Sequence, residues 1–112
     1  YDGRYRYIVN LTPEATFQNV ETKSPLFKEW QSLAETDSHA KAMTTKYQHR
    51  PAIELYDVKN DPYCMKNLAE DAKQASTISR LDKELKRWMK DCGDEGQPTE
   101  MRAFEHMPGK RK

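Results

Sequence analysis

Ile78, Leu81, Leu85, Trp88 and Met89 recur at helical spacing, preceded by Ser76 and Thr77 and followed by Gly93. The stripe predicts an amphipathic helix over about residues 77–91, with Ser76 or Thr77 as its cap and Gly93 as its terminator. No side chain on it can ligate a metal or titrate, so it reads as a packing face. A helix of this kind folds only if the rest of the chain covers that face, and the supply is thin: 36% of the 112 residues are hydrophobic and 33% charged. One small domain is therefore the upper bound. Six Tyr, three Phe and two Trp partly offset the shortage, since each buried aromatic removes about 150–250 Å² from water.

The segment from Tyr1 to Leu11 places Asp2-Gly3 before an alternating run. Tyr5, Tyr7, Val9 and Leu11 share one face, and Arg4, Arg6 and Asn10 the other. This is a turn followed by a half-buried strand whose outer charges are solvated. Thr12-Pro13-Glu14 ends the strand, and the polar stretch to Lys23 has no readable period. Ser24-Pro25 gives a cap with proline at the first helical position. Leu26, Phe27, Trp30, Leu33 and Ala34 then predict a helix over about residues 25–35.

Asp37 caps a second helix carrying Ala40, Met43 and Tyr47, which stops before Gln48-His49-Arg50-Pro51. Ile53, Leu55 and Tyr56 form a short strand ended by the turn chemistry of residues 57–62. Asp61-Pro62 predicts one helical turn through Met65, closed by Asn67. Residues 94–112 read as an extended polar tail with Met101, Phe104 and Met107 as its anchors and a mobile end. The order of elements gives an α+β fold: a small antiparallel sheet against a long C-terminal helix, with one or two shorter helices. Only two of its strands are visible, so the others are expected in the unreadable stretches or upstream of Tyr1, where the chain reads as cut from something longer.

Nineteen basic against eighteen acidic side chains leave a formal net charge of +1, so no overall field draws nucleic acid or an anionic membrane. The basic triplet Lys110-Arg111-Lys112 reads as solvated terminal charge. No apolar run reaches the roughly 20 residues of a membrane-spanning helix. Cys64 and Cys92 form no C-x-x-C pair, and His39, His49 and His106 add no metal-ligand spacing. Their redox state is open on sequence grounds. No glycine-rich phosphate loop, G-x-S-x-G elbow or H-E-x-x-H motif is present. Asn10-Leu11-Thr12 matches the N-glycosylation triplet at a strand end. His49 and Arg50 stand in a loop leading into a strand, where binding residues are often presented, and an Arg can grip sulfate or carboxylate bidentately. Against that stands a plain structural role, with Arg50 an ion-pair partner and His49 a surface residue.

The run from Glu54 to Ala69 resembles the sulfatase signature E-L-Y-D-x-x-x-D-P-x-E-x-x-N-L-A. Glu54, Leu55, Tyr56, Asp57, Asp61, Pro62, Asn67, Leu68 and Ala69 match it, and Cys64 replaces its second acidic residue. Asp2-Gly3-Arg4-Tyr5-Arg6-Tyr7-Ile8 is similar to the strand d-g-r-y-K-Y-I of the same family, and the helix with Leu81, Leu85 and Trp88 to its L…L…W helix. The tail is similar to that of the heparan N-sulfatase-like branch.

The resemblance implies the C-terminal subdomain of a formylglycine-dependent sulfatase, with a four-stranded antiparallel sheet and a long helix. Such a subdomain packs on an N-terminal catalytic domain and helps to shape the substrate cleft. The formylglycine, made from Cys or Ser in C/S-x-P-x-R, and a calcium site are expected in that catalytic domain. Neither Cys64 nor Cys92 is followed by P-x-R, so no catalytic residue, metal site or cofactor is expected in this chain. The expected partners are the catalytic domain and a sulfated carbohydrate, with His49 and Arg50 facing the cleft, in an exported parent that is periplasmic, extracellular or lysosomal. The alternative is a free-standing α+β protein-interaction module.

Overall fold

A computed structural model describes residues 1–106. Met107 and the basic triplet lie outside the described residues, as does the mobile end expected of the tail. The chain divides into two compact units: Thr12–Ala52, and Tyr1–Leu11 together with the chain from Ile53 onward.

In the second of these, strand β1 (Tyr5–Val9) pairs antiparallel with β2 (Ile53–Asp57), with Tyr7 opposite Leu55 and Ile8 opposite Glu54. Period-2 alternation puts Tyr5, Tyr7, Val9, Ile53, Leu55 and Asp57 on one face and Arg6, Ile8, Glu54 and Tyr56 on the other. Leu55 is fully buried, and Tyr56, Glu54 and Asp57 are buried around it. The Glu54 carboxylate accepts from the Asn10 amide at 2.8 Å and from the Tyr56 hydroxyl, which removes the cost of an unpaired buried acid. That hydrogen bond and, above all, burial raise the Tyr56 phenol above its ordinary pKa.

β2 is protected on its second edge without a third strand. Asn67 Oδ1 accepts from the Leu55 N–H at 2.9 Å, Asn67 Nδ2 donates to the Ile53 carbonyl at 3.2 Å, and the Leu68 N–H donates to the Leu55 carbonyl at 2.8 Å. A side-chain amide thus does what a neighbouring backbone would do. Among the described residues the sheet has two strands, which corrects the expectation of about four. The polar connections that were to supply the others form turns, in which Asp and Asn side chains bind local backbone N–H groups and compete with a strand ladder.

One such turn corrects the helical turn expected through Met65. The Asp61 carboxylate accepts from the Met65 and Lys66 N–H groups at 3.0 and 2.8 Å, as a cap would. Cys64, however, lies at φ +52°, which breaks any helix.

The long helix, here α3, runs Ala75–Cys92. It begins earlier than the Ser76 or Thr77 cap because a 3-10 turn, Ala72–Gln74, leads into it with Asp71 accepting from the Lys73 N–H. It ends as expected: Gly93 takes φ +70°, its N–H reaches the Lys90 carbonyl, and the Asp94 N–H reaches that of Met89. Leu81 is buried, whereas Trp88 is 60% exposed, so the ribbon covers only part of the stripe.

α3 is not the last element. The expected extended tail forms a short helix (Gln97–Met101) and a 3-10 turn (Ala103–His106), nucleated by Pro98 in the first turn and by Thr99 Oγ1 accepting from the Glu95 N–H. No described helix is long and apolar enough to cross a membrane.

Thr12–Ala52 contains α1 (Pro25–Leu33) and α2 (Ser38–Gln48), capped as the sequence predicts. Ser24 Oγ accepts from the Phe27 N–H and Asp37 Oδ1 from the Ala40 N–H. The unreadable stretch before α1 is held by an Asn19–Thr22 box, in which each side chain accepts from the other residue's N–H at 3.0 Å.

Arg4, read as solvated, instead grips Asp57 through Nε and Nη2, the latter at 2.7 Å. The hydrogen bonds from Arg4, ahead of that from the Asn60 amide, hold the Asp57 carboxyl at about 2 against an ordinary 3.8. The Arg80 guanidinium, with the Tyr5 and Arg4 N–H groups, likewise pulls Asp2 well below the usual range. Because both folded-state pKa values lie below the unfolded ones, the unfolded chain binds more protons in acid. The stability these pairs contribute is present above pH 3.8 and lost as the pH falls toward about 2.

The urea midpoint should therefore be level above about pH 5 and drop on acidification, and Arg4→Met should flatten that drop. Leu55→Ala should cost about 2–5 kcal/mol in urea unfolding. Asn67→Ala should cost about 1–3 kcal/mol, because it leaves the Leu55 N–H without its acceptor.

Candidate functional site

The two sequence-derived candidates, His49 and Arg50, stand together where α2 gives way to extended chain. Pro51 enforces that exit, since the residue before a proline is driven out of the helical region. His49 is already extended, at φ −124°, while its N–H still closes the last helical turn on the Thr45 carbonyl at 2.8 Å. Both residues are exposed.

The helix end beneath them is fixed by an aromatic cluster. Phe27, 3% exposed, packs at 5.5 Å between ring centroids on Tyr47, which meets Phe17 edge-on at 5.8 Å. Trp30 adds to Phe27 at 6.2 Å. The Phe17 N–H donates to the Gln48 carbonyl at 2.8 Å and the Asn19 amide to the Tyr47 hydroxyl at 3.1 Å, pinning the segment before α1 to the end of α2. The Arg50 guanidinium carbon lies 5.6 Å from the Phe17 ring centroid. A cation–π contact of this kind holds the guanidinium near the ring while Arg50 stays exposed, and a guanidinium so placed is suited to a planar or tetrahedral oxyanion. Phe17 was not singled out from the sequence. A lone aromatic in an aperiodic polar stretch carries no signal until its ring is seen beneath Arg50.

The signature residues in the other unit are engaged within the fold. Glu54, Asp57, Asp61 and Asn67 each bind a partner within the fold, as described above. Cys64, which stands for the acidic residue of the pattern, receives Arg6 Nη1 on its sulfur at 3.6 Å. Both cysteines are free thiols. The Asn10 amide that glycosylation would modify is engaged by Glu54.

A cleft of about 460 Å³ lies along α3, with Tyr7, Ile53, Ala72, Ile78, Asp82 and Lys86 among its lining. Its polar groups are mutually engaged: the Tyr7 hydroxyl donates to Asp82 Oδ1 at 3.2 Å, and Lys86 Nζ meets Asp82 Oδ2 at 2.6 Å. Desolvation, then the Asp82 charge, pushes the Tyr7 phenol up to about 12, and Lys86 pulls the Asp82 carboxyl down. Neither is tuned for proton transfer near neutrality. Among the described residues no group of three or more His, Cys, Asp or Glu could hold a metal ion. These residues therefore do not fit the calcium site of a sulfatase.

The chain is 32% identical over 103 residues to an ulvan-active sulfatase of Formosa agariphila, in a match covering 88% of this chain and 17% of that protein. It is also 32% identical over 93 residues to a second ulvan-active sulfatase of that organism, covering 83% of this chain and 17% of the relative. No protein-family model matches. The chain thus spans 17% of the length of these curated relatives, and it is similar to them over most of its own length.

Proposed function

We propose that this chain is the C-terminal subdomain of a formylglycine-dependent sulfatase, packing on the catalytic domain of its parent and helping to shape the substrate cleft. The observation that carries the reading is the sulfatase match, which takes in 88% of this chain and 17% of the relative. A piece with that coverage has the extent of a subdomain. The signature supports it: Glu54, Asp57, Asp61 and Asn67 hold the β ribbon together, which is what a subdomain that supports catalysis elsewhere requires.

Hydrolysis of a sulfate ester needs an activated nucleophile and cationic stabilisation of the sulfuryl oxygens. In the proposal both belong to the parent's catalytic domain, as formylglycine and calcium. The contribution of this chain is binding: His49 and Arg50 face the cleft, and Arg50, oriented over Phe17, contacts an anionic group of the substrate. That substrate is a sulfated carbohydrate, and ulvan, named for the relatives, is the first to test. The parent is exported.

The 112-residue chain, assayed with a chromogenic aryl sulfate and calcium, should give no turnover above buffer, and measurable hydrolysis would overturn the division of labour. In the full-length parent, Arg50→Ala should lower kcat/KM on the sulfated carbohydrate about 10-fold or more, the scale of losing one charge-assisted contact. The melting temperature should hardly move. An unchanged kcat/KM would return Arg50 to a structural role.

A further inference from the structure

We propose that Phe17 is a positioning residue for Arg50, keeping its guanidinium where an anionic group of the substrate binds, and that Asn19 keeps Phe17 in place. The inference deepens the reading of Arg50 as a substrate contact and rests on it. Arg4 meets Asp57, Arg80 meets Asp2, Arg87 meets Glu84 and Arg102 meets Glu95, while Arg6 gives a hydrogen bond to the Cys64 sulfur. Arg50 is different. Among the described residues no carboxylate and no hydrogen-bond acceptor engages its guanidinium, so the structural ion pair open to it on sequence grounds is not formed there. Its partner is the Phe17 ring, with 5.6 Å between the guanidinium carbon and the ring centroid. Five N–H donors are thereby left for a ligand.

Burial alone does not fix Phe17, which stays 40% exposed. Specific contacts do. Its N–H donates to the Gln48 carbonyl at 2.8 Å, tying its backbone to the residue two before Arg50. Its ring meets Tyr47 edge-on at 5.8 Å, and the Tyr47 hydroxyl accepts from Asn19 Nδ2 at 3.1 Å. Asn19 is held in turn by Thr22 through three bonds. Its side-chain oxygen accepts from the Thr22 N–H at 3.0 Å, its N–H donates to Thr22 Oγ1 at 3.0 Å, and that hydroxyl donates to the Asn19 carbonyl at 2.8 Å. The segment before α1, which has no readable period, thus sets a ring beside the residue that leaves α2.

An exposed arginine sweeps a large volume, and a ligand that binds it must halt that motion. A ring that limits the sweep beforehand removes part of the cost of binding. The benefit falls on substrate affinity, and therefore on KM, and it exists only while Arg50 is present. Leucine at position 17 keeps apolar bulk but has no π face for the cation, whereas tyrosine keeps the face.

The test is a double-mutant cycle in the full-length parent, assayed on the sulfated carbohydrate. Phe17→Leu should lower kcat/KM about 3–5-fold, the scale of an exposed cation–π contact, through a raised KM at nearly constant kcat. Phe17→Tyr should keep the wild-type values. In the Arg50→Ala background Phe17→Leu should cause no further loss. Equal losses with and without Arg50 overturn the inference, because they assign Phe17 to packing alone. An unchanged kcat/KM in Phe17→Leu beside a lowered one in Arg50→Ala also overturns it and leaves the Arg50 contact standing, whereas an unchanged Arg50→Ala removes both. NMR of the 112-residue chain gives a readout that needs no change at position 17. The Phe17 ring current should displace the Arg50 side-chain resonances from their random-coil positions, and Asn19→Ala should shrink that displacement. Random-coil positions in the unaltered chain would show that the ring does not hold the guanidinium, and the inference falls.

Discussion

The bond on which most else depends is the Asn67 side-chain amide against the outer edge of β2. A two-stranded ribbon is marginal in water, because each strand keeps one row of backbone groups exposed and little side-chain surface is removed. Asn67 gives β2 partners on both sides using a single residue. With Leu55 flanked in this way, its side chain lies fully buried and the neighbouring carboxylates can be buried beside it. The turn from Asp57 to Lys66 exists to bring Asn67 back, and the Asp61 carboxylate holds that turn. Asn67 also accepts from the Ala69 N–H, setting the direction in which the chain departs toward α3.

The elements legible in the sequence were those whose determinants are local. Ser24-Pro25, Asp37 and Gly93 announce helix ends because a cap is an interaction among residues a few positions apart. Both strands were readable from alternation, and the stripe on α3 from its period. What escaped was set by distant partners. Arg4 looks like an outer-face charge until Asp57 arrives beside it, and Asn67 looks like the end of a helical turn until the β2 edge is seen to need an acceptor. The expectation of about four strands came from the resemblance, and the polar connections of the described chain cannot furnish them. For the candidate site, His49 and Arg50 could be placed in a loop from Pro51, but the Phe17 ring beneath Arg50 is a tertiary contact between residues with no shared pattern.

A motif that survives as a string of letters is often assumed to mark chemistry. Here Glu54, Asp57, Asp61 and Asn67 are polar residues doing the work of fold closure, each matched to a partner that would otherwise be left unsatisfied. Glu54 and Asn67 are costly to change singly, because truncating either leaves a partly or fully buried group without its partner. A signature of this kind reports kinship of architecture more directly than kinship of reaction. Exposed positions such as Arg50 are free of that constraint.

The two strands of the ribbon are joined through the whole of Thr12–Ala52, a compact unit in its own right. Their pairing cannot be dictated by a tight turn, so the register must come from Glu54, Leu55 and Asn67 on the strands themselves. The entropic cost of closing so long a connection grows only with the logarithm of its length. Lengthening, shortening or reshaping the insert thus changes little in the stability of the ribbon, and the end of α2 can be remodelled by evolution or by an engineer as an interchangeable cassette on a fixed clasp.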